Sequence, residues 1–453
     1  MAGGARHGGV GAACTPLPWR ARSMGAAGSR AEGAAADSAR RGLARGRWRA
    51  GVPRALSAGD AMDAVVRAVA AVPTPPPYAG PEVGMAMLLQ AWRSERVRLY
   101  HVRTTLRRSN AAKGRFDIAG IVAFARVFVR YVWTLLRRRP AVVFLLLSSS
   151  RAGLMRDAWL IVTARLLGCR VVAQYRGGNF EGFLQRQAPA WRRAVGMLLR
   201  RLACVVVQGE RLRAQFTGLL PAERVQVLHN GVNPEEFPPR RRPVLQAAPY
   251  RLLFVGHVAF AKGFRELARA YRWLRERYAV ELWVVGTRIA QPVVASSFLP
   301  PQWYAYYWQH AAEIEAEIDA FLQQLQGDTV RFFGHVHTTV VRELMAEADV
   351  FVLPSYSEGA SVAVLEAMAS GLPVVTTPVG ALPELVEAGQ TGVLVSVGAW
   401  EELAEALAWC LQHPQWCQQA GERARQRVRE HFTLEHTAAQ LEQLLWGVAR
   451  GND

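Results

Sequence analysis

The chain of 453 residues carries a formal net charge of +19, and 51% of its residues are apolar against 20% charged. This length exceeds what a single core usually holds, and this composition excludes a disordered chain, so we expect two globular domains. The positive charge indicates anionic partners, while the lack of helix-turn-helix, zinc-finger and basic-zipper patterns argues against nucleic acid.

Residues 1–61 form an extension rich in arginine, alanine and glycine. Residues 1–60 hold ten arginines and three acidic residues, so they contribute +7 of the net charge. The extension contains no run long enough for a signal-peptide core or a membrane span, and we expect it to be disordered. Because Met62 directly precedes the first predicted strand, a native start at Met62 is a hypothesis that mass spectrometry of the native amino terminus would test.

Continuous apolar runs separated by helical stretches fill the segment from residue 62 to 237. Such runs predict the strands of a parallel sheet with helices on both faces, because each strand is then buried on both sides. The runs are residues 65–72, 97–102, 141–147, 169–175 and 203–209. We therefore expect a Rossmann-like amino-terminal domain over residues 62–237, followed by a proline-rich, basic linker over residues 238–249.

The segment from residue 116 to 139 predicts a helix that mixes aromatic and arginine side chains. Arg126 and Arg130 interrupt its apolar run, which is therefore too short to span a membrane. The helix could pack on the sheet with a solvated basic edge, or it could lie on an anionic membrane surface. Further arginine pairs at 192–193 and 200–201 add weight to the membrane interpretation.

The second half repeats the pattern, and we expect another Rossmann-like domain over residues 250–430. Apolar runs at 250–258 and 280–286 predict strands, and the sequence after Lys262 predicts a helix that is apolar on one face. A helix over residues 431–453 is expected to return toward the first domain.

An aromatic segment, residues 291–310, leaves two interpretations open. Its rings could stack on sugars or enter a membrane interface, or they could begin the next helix and pack against its neighbours. The rings in question are Trp303, Tyr304, Tyr306, Tyr307 and Trp308.

Lysine and cysteine are used sparingly. Among 55 basic residues only Lys113 and Lys262 are lysines, so a lysine kept at 262 indicates chemistry that needs a compact ammonium group. The five cysteines show no paired metal-ligand spacing, and reduced thiols in a cytosolic protein are the simplest interpretation.

The stretch from residue 354 to 395 carries the strongest functional pattern. A buried strand ends there, a Ser-Glu-Gly turn follows, and a helix begins near Ser361. Glu358 lies in the turn and Glu366 lies on the helix, about two helical turns later. By themselves they could equally be a carboxylate that complements the helix dipole and a solvated helix residue. The amides that would face an anion at the helix start belong to Gly359, Ala360 and Ser361.

This stretch resembles the carboxyl-terminal half of retaining, nucleotide-sugar-dependent glycosyltransferases of family four. The shared patterns are P-S-x-x-E-G, L-E-A-M-A-x-G-x-P-V-V-x-T, E-L-V and G-x-x-G-V-L-V. HNGVNPEEF (229–237) and FVGHVAFAKG (254–263) extend the resemblance toward the amino terminus. It implies a GT-B fold, in which an acceptor-binding and a nucleotide-sugar-binding Rossmann-like domain face each other across a cleft.

The resemblance also implies roles for individual residues. Lys262 would hold the leaving diphosphate, Glu358 the hydroxyls of the donor sugar and Glu366 the ribose. Arg176 stands where the family often has histidine, and His257 stands where it has arginine. An arginine at 176 could make a charge-assisted bond instead, and His257 could equally be a polar loop residue. The residues implied to contact the donor are Gly80, Arg176, Gly256, His257, Val336, Gly359, Ala360, Ser361 and Val362.

The implied reaction is transfer of a sugar to a glycan or lipid-linked acceptor, as in polysaccharide biosynthesis of the cell envelope. Retention would follow a front-face mechanism, in which the departing phosphate takes the acceptor's proton, so no nucleophile is expected. No cofactor is expected beyond the donor substrate, and no metal, because the sequence lacks an Asp-x-Asp pair. The basic helices could bring this cytoplasmic protein to the inner leaflet of a membrane.

Two alternatives remain at this point. A non-hydrolysing sugar-nucleotide epimerase shares the two-domain architecture, but it would need its own acid and base residues in the first domain. A catalytically silent scaffold that binds glycans or nucleotide sugars would account for the departures at Arg176 and His257.

Overall fold

The computed structural model describes residues 65–76, 80–106, 118–238, 240, 248–289, 299–325 and 329–451. The predicted extension over residues 1–61, Lys113, most of the predicted linker and residues 291–298 of the aromatic segment lie outside this part of the chain.

Six parallel strands form the first sheet. They are β1 (Val66–Val72), β2 (Val97–Arg103), β3 (Val142–Leu147), β4 (Arg170–Tyr175), β5 (Cys204–Val207) and β6 (Val225–Val227). Their spatial order is β2-β1-β3-β4-β5-β6. The central strands are buried almost throughout, because helices cover both faces of the sheet.

Six further parallel strands form the second sheet. They are β7 (Tyr250–Val255), β8 (Val280–Val285), β9 (Val330–Gly334), β10 (Val350–Leu353), β11 (Val374–Thr376) and β12 (Gly392–Leu394). Their spatial order is β12-β11-β10-β7-β8-β9. The two doubly wound sheets confirm the predicted fold class of two Rossmann-like domains. The expected linker falls between β6 and β7.

Helices connect the strands and cover the sheets. In the first half they are α1 (Gly80–Ala91), α2 (Ile118–Arg138), α3 (Arg151–Leu166), α4 (Phe180–Gln185) and α5 (Pro189–Leu199). In the second half they are α6 (Phe264–Arg275), α7 (Pro301–Leu325), α8 (Thr338–Glu347), α9 (Val362–Ala369), α10 (Leu382–Leu385), α11 (Trp400–Gln412), α12 (Pro414–His431) and α13 (Leu434–Arg450). Of the helices described, none is long and apolar enough to cross a bilayer.

The last helix, α13, belongs to the core of the first domain. Leu441, Leu445 and Val448 join Val72 and other residues of the first sheet and α1 in one buried cluster. Arg170 Nη1 of β4 also donates a hydrogen bond to the carbonyl of Val448 at 3.1 Å. The predicted return of the carboxyl-terminal helix to the first domain is therefore confirmed.

The described part of the aromatic segment packs against its neighbours. Tyr307 is fully buried, and its ring lies 5.4 Å from that of Phe260, measured between centroids. Trp303 contacts Tyr356 in an edge arrangement at 4.7 Å. These contacts agree with the packing interpretation, in which the rings begin α7, although Trp308 remains partly exposed.

Four of the five cysteines fall among the described residues, and all four are buried free thiols: Cys169, Cys204, Cys410 and Cys417. Cys417 Sγ donates to the carbonyl of Cys410 at 3.4 Å. The contact between the two thiols, together with burial, raises the pKa of Cys410 well above its usual value.

Glu384 at the start of α10 joins the second domain to the first. Its carboxylate accepts hydrogen bonds from the amides of Glu210 and Arg211 at 2.9 and 3.0 Å, and it lies 2.9 Å from His229 Nε2. Burial opposes ionisation here, but the bonds from Arg211, His229 and Glu210 outweigh it, and the pKa of Glu384 is lowered. The ionised carboxylate therefore stabilises the contact between α10 and the loops after β5 and β6.

Replacing Glu384 by alanine should lower the free energy of unfolding by about 1–3 kcal/mol near neutral pH, because two amides and His229 lose their acceptor. Because the pKa of Glu384 is depressed in the folded state, its contribution is present above the unfolded value of about 4.3 and is lost as the pH falls further. Urea unfolding of both proteins, followed by circular dichroism at neutral pH and again at a pH below the unfolded pKa, measures the difference in the free energy of unfolding.

The matched control for Glu384 is Glu387→Ala in the next loop. Glu387 pairs with Arg427 at the surface and should contribute no more than about 1 kcal/mol. An equal decrease in the free energy of unfolding in the two variants would contradict a special role for Glu384.

Candidate functional site

The site lies where the strand order of the second sheet reverses, between β7 and β10. Neighbouring loops leave such a point in opposite directions and open a crevice at the carboxyl ends of the strands. The loop after β7 carries Gly256, His257 and Lys262, and the loop after β10 carries Glu358 and leads into α9. Residues far apart in sequence are thereby brought together.

Lys262 and Glu358 form an ion pair in this crevice. Lys262 ends a 3-10 turn, Phe260–Lys262, and its Nζ donates to Glu358 Oε1 at 2.6 Å. The hydroxyl of Ser355 donates to the same carboxylate oxygen at 2.7 Å. The Glu358 side chain is 8% exposed and that of Lys262 is 28% exposed. The ammonium group therefore sits at the mouth of the crevice, with the carboxylate behind it.

Three glycines allow neighbouring segments to approach the loop of residues 354–358 closely. A Cβ on Gly263 (φ +70°) would lie 1.9 Å from the carbonyl oxygen of Pro354, and one on Gly380 (φ +56°) would lie 2.1 Å from that of Glu358. A Cβ on Gly178, from the first domain, would lie 2.2 Å from the same Glu358 oxygen. Only glycine fits at these approaches, so the position of the Glu358 loop is tightly fixed.

The start of α9 presents backbone amides that have no partner among the described residues. Its N-cap, Ser361, makes no side-chain capping bond. The carbonyl of Gly359 accepts from the Ala381 amide at 2.8 Å, and that of Ala360 accepts from Asn230 Nδ2 at 2.7 Å. Within the described residues, the amides of Gly359, Ala360 and Ser361 donate no hydrogen bond. Such amides at a helix start can bind an anion.

Glu366 lies on α9 beyond these amides. It keeps part of its surface exposed, but the surrounding protein removes enough water to raise the pKa of its carboxyl to about 7. Arg342, which forms an ion pair with Glu236, partly opposes this shift. The Glu366 carboxyl accepts no hydrogen bond from the described residues, so it is available to a ligand.

Arg176 lies at the wall formed by the first domain, at the end of β4, and its guanidinium already has protein partners. Its Nη2 donates to Asn230 Oδ1 at 2.7 Å, and the same oxygen accepts from Gln208 Nε2 at 2.6 Å. Burial lowers the pKa of Arg176 to about 10. Arg176, Asn230 and Val362 of α9 line a small cavity together. The predicted donor contact of Arg176 would therefore have to share the guanidinium with Asn230.

Gly256 and His257 follow β7 directly. A Cβ on Gly286 would lie 1.9 Å from the carbonyl oxygen of Gly256, so the loops after β7 and β8 touch through their backbones. His257 Nδ1 lies 3.3 Å from the hydroxyl of Thr287. His257 is thus held at the rim of the crevice by the neighbouring loop.

Gly80 and Val336 lie at the periphery. Gly80 is the first residue of α1, beside the point where the first sheet reverses its strand order, and no described atom lies within 4 Å of the Cβ it lacks. Val336 is half-buried in the loop between β9 and α8. Among the described residues, no hydrogen bond joins either of them to Lys262 or Glu358.

Asn230 is a site residue that the sequence did not reveal. The pattern at Asn230-Gly231 predicts only a tight turn after a strand, whereas the structure places its amide between Arg176 and the carbonyl of Ala360. Ser355 was part of a recognised pattern without a role, and here it bonds to Glu358. A side chain that bridges two domains leaves no local periodicity, so nothing in the sequence signalled the contacts of Asn230.

Similarity to known proteins extends over both halves. Residues 239–427 match the family model of glycosyl transferases group 1. Glycogen synthase from Mycobacterium tuberculosis is 30% identical over 277 residues, which is 60% of this chain and 60% of that enzyme. N-acetyl-alpha-D-glucosaminyl L-malate synthase from Bacillus anthracis is 37% identical over 123 residues, 27% of this chain and 32% of that enzyme. The match thus spans 60% or less of these relatives' length.

Solved structures show the same architecture. Sucrose-phosphate synthase from Thermosynechococcus elongatus superposes with a TM-score of 0.61 at 20% identity, covering 84% of this chain and 98% of that one. Anabaena HepE in complex with UDP-glucose gives a TM-score of 0.60 at 17% identity, covering 84% and 99%. At such identities the likeness shows the fold, which is GT-B. Residues 239–427 are thus similar in sequence to the group 1 glycosyltransferases, and both sheets share the fold of these solved structures.

Proposed function

We propose that this chain moves a sugar from a nucleoside-diphosphate sugar to a glycan or lipid-linked acceptor, with retention of configuration and without a metal or further cofactor. The observation that carries the proposal is the 2.6 Å contact between Lys262 Nζ and Glu358 Oε1 beside the unpaired amides that begin α9. A cation and helix-start amides in one crevice suit a diphosphate.

Lys262 and the amides of residues 359–361 would stabilise the leaving diphosphate. Negative charge builds on the phosphate oxygens as the bond to the sugar breaks, and each well-aimed donor is worth about 2.7–4 kcal/mol to such a transition state. An ammonium group has three protons, so Lys262 can keep its bond to Glu358 while it donates to a phosphate oxygen. Donor binding then needs no rupture of the ion pair.

Glu358 would orient the donor sugar through its second oxygen. Its Oε1 accepts from both Lys262 and Ser355, whereas Oε2 accepts no hydrogen bond from the described residues. A fixed carboxylate with one free oxygen can accept from sugar hydroxyls and hold the anomeric carbon against the phosphate site. We assign no nucleophile, because in the front-face mechanism the departing phosphate takes the acceptor's proton.

A donor screen scored by released nucleoside diphosphate tests the proposal. UDP-glucose is the first donor to try, because HepE, which shares the fold, was solved with it. Release of diphosphate that depends on an added glycan or lipid-linked acceptor is expected. Calorimetric binding without turnover over a broad acceptor panel would instead favour a silent scaffold, and conversion of the sugar nucleotide without an acceptor would favour an epimerase.

The pKa of Glu366 predicts a pH dependence of donor binding. An ionised carboxylate accepts hydrogen bonds from both ribose hydroxyls, whereas a protonated one loses an acceptor. Because burial raises the pKa of Glu366 to about 7, KM for the donor should rise as the pH falls through that value and level off once the carboxyl is protonated. Initial rates measured across pH with saturating acceptor test this.

The variant Glu366→Gln should show a raised KM that no longer depends on pH in this range, since the amide does not titrate. A profile parallel to that of the unmodified chain would show that another group sets the pH dependence. Glu387→Gln, which changes a surface carboxylate, is the control and should leave the profile unchanged.

A further inference from the structure

Exposed large apolar side chains are concentrated on one part of the first domain. Fourteen such residues occur among those described, and eleven of them lie on α2, α3 and α5 or at the residue after α3. The exposed fractions include 67% for Val129, 62% for Trp159 and 81% for Leu166. Isolated exposed apolar residues need no explanation, but such a concentration on a single face does.

On α3 these residues form one stripe. Met155, Trp159, Val162 and Leu166 are spaced by four, three and four residues, so they project from the same side of the helix. The residues between them, such as Leu160 and Ile161, are buried against the sheet. The stripe is therefore an outer face that remains after the helix has packed.

On α2 the arrangement is the same. Tyr131 and Leu135 are buried, and the hydroxyl of Tyr131 donates to the carbonyl of Leu160 at 3.0 Å, while Ile121, Val129 and Trp133 point outward. Packing on the sheet thus accounts for one face of this helix and leaves an apolar face uncovered. The rings of Phe128 and Trp159 meet edge to face at 6.2 Å, so the stripes of α2 and α3 adjoin in one patch.

The charges around this patch are almost all positive. Residues 118–139, 151–167 and 189–201 contain twelve arginines and a single acidic residue, Asp157. Asp157 is buried, and its carboxylate is bound to Arg156 and to the amide of Ser148. At 100° per residue, Arg126, Arg130 and Arg137 project beside the apolar stripe of α2. The surface therefore combines an apolar centre with a rim of arginines.

We propose that α2, α3 and α5 form a docking surface for an anionic phospholipid bilayer. The two apolar stripes would enter the boundary between headgroups and acyl chains, and the arginines would contact the lipid phosphates. A second copy of the chain fits the surface poorly, because a two-fold contact would set arginines against arginines. The inference rests on this surface alone and does not depend on the proposed transfer reaction.

Flotation of the full chain with lipid vesicles tests the docking surface. Binding is expected to vesicles of phosphatidylcholine mixed with phosphatidylglycerol, to weaken as salt is raised, and to be nearly absent with phosphatidylcholine alone. The paired change Arg126→Gln and Arg130→Gln should lower the partition coefficient roughly 25-fold, because each arginine near the surface contributes about fivefold. Trp133→Ala with Trp159→Ala should lower it at least about tenfold.

Matched controls separate the surface from overall charge and hydrophobicity. Arg275→Gln with Arg423→Gln removes the same charge from exposed positions elsewhere, and Trp308→Ala removes an exposed indole from α7. Neither control should change the partition coefficient by more than about twofold, given the short range of these forces. The proposal would be overturned if the partition coefficient fell equally in test and control variants. It would also be overturned if the chain bound equally to vesicles with and without phosphatidylglycerol.

Sedimentation equilibrium without lipid tests whether a second copy of the chain covers this surface instead of a membrane. A monomer at all concentrations is expected. A dimer that dissociates in the Trp133→Ala, Trp159→Ala variant would mean that a second copy covers the face, and it would overturn the membrane proposal. Circular dichroism of every variant establishes that it is folded.

Discussion

Replacing Lys262 by alanine should lower turnover in the proposed transfer about a hundredfold or more, because the leaving diphosphate would lose the ammonium group that we assign to it. The loss should fall mainly on kcat, since the charge that Lys262 meets is greatest in the transition state. Single-turnover release of nucleoside diphosphate at saturating donor measures it. Lys262→Met, which keeps the length of the chain but not its charge, should be impaired equally.

Two comparisons sharpen this test. Lys262→Arg keeps the positive charge with a different shape and should recover part of the lost rate. Arg275→Ala removes an exposed cation from α6 in the same domain and should leave turnover unchanged. If Lys262→Ala turned over at the normal rate while remaining folded, Lys262 would have no part in the site.

Replacing Gly380 by alanine should be nearly as damaging, although its side chain has no chemistry. The added Cβ would meet the carbonyl oxygens of Glu358 and Gly359 at 2.1 and 2.5 Å, so the loop that holds Glu358 must move. A displacement of about 1 Å can cost about a hundredfold in rate when it misplaces reacting groups. Turnover and donor affinity, measured together with the urea unfolding midpoint, test this prediction.

Gly389 offers a matched control for Gly380. Both glycines have left-handed backbone angles, with φ of +56° at Gly380 and +80° at Gly389, but no described atom lies within 4 Å of a Cβ at Gly389. Gly389→Ala should therefore cost only the backbone strain of about 1–2 kcal/mol and leave turnover intact. Similar losses of activity in both variants would show that strain, rather than the collision with the Glu358 loop, is responsible.

The strands of the fold were predictable because buried parallel strands are continuous apolar runs. The runs at 65–72, 97–102 and 141–147 differ from the observed strands Val66–Val72, Val97–Arg103 and Val142–Leu147 by one residue at most at either end. The order of strands within each sheet was not readable from these runs, since it depends on which helix crosses which edge. The resemblance to a known family supplied that information instead.

The arrangement of the candidate site was predictable only for residues that are close together in sequence. Glu358, the amides after it and Glu366 lie within one loop and helix, so their spacing carries the pattern. The contact of Lys262 with Glu358 joins residues 96 positions apart, and that of Asn230 with Ala360 joins residues 130 apart. Contact with sugars or a membrane and packing at the start of α7 both require aromatic residues at 303–308. Only the burial of these rings in the folded chain distinguishes the two uses.

The packing of α13 against the first sheet has a consequence for how the protein is made. Leu441 and Leu445 fill the core beside Val72, so the first domain cannot complete its interior until the ribosome has released residues 434–450. Domains of nascent chains generally fold in order of emergence, but here the earliest strands must wait for the latest helix. Apolar surface on the first sheet therefore stays open until residues 434–450 have emerged, and this is the kind of surface that chaperones shield.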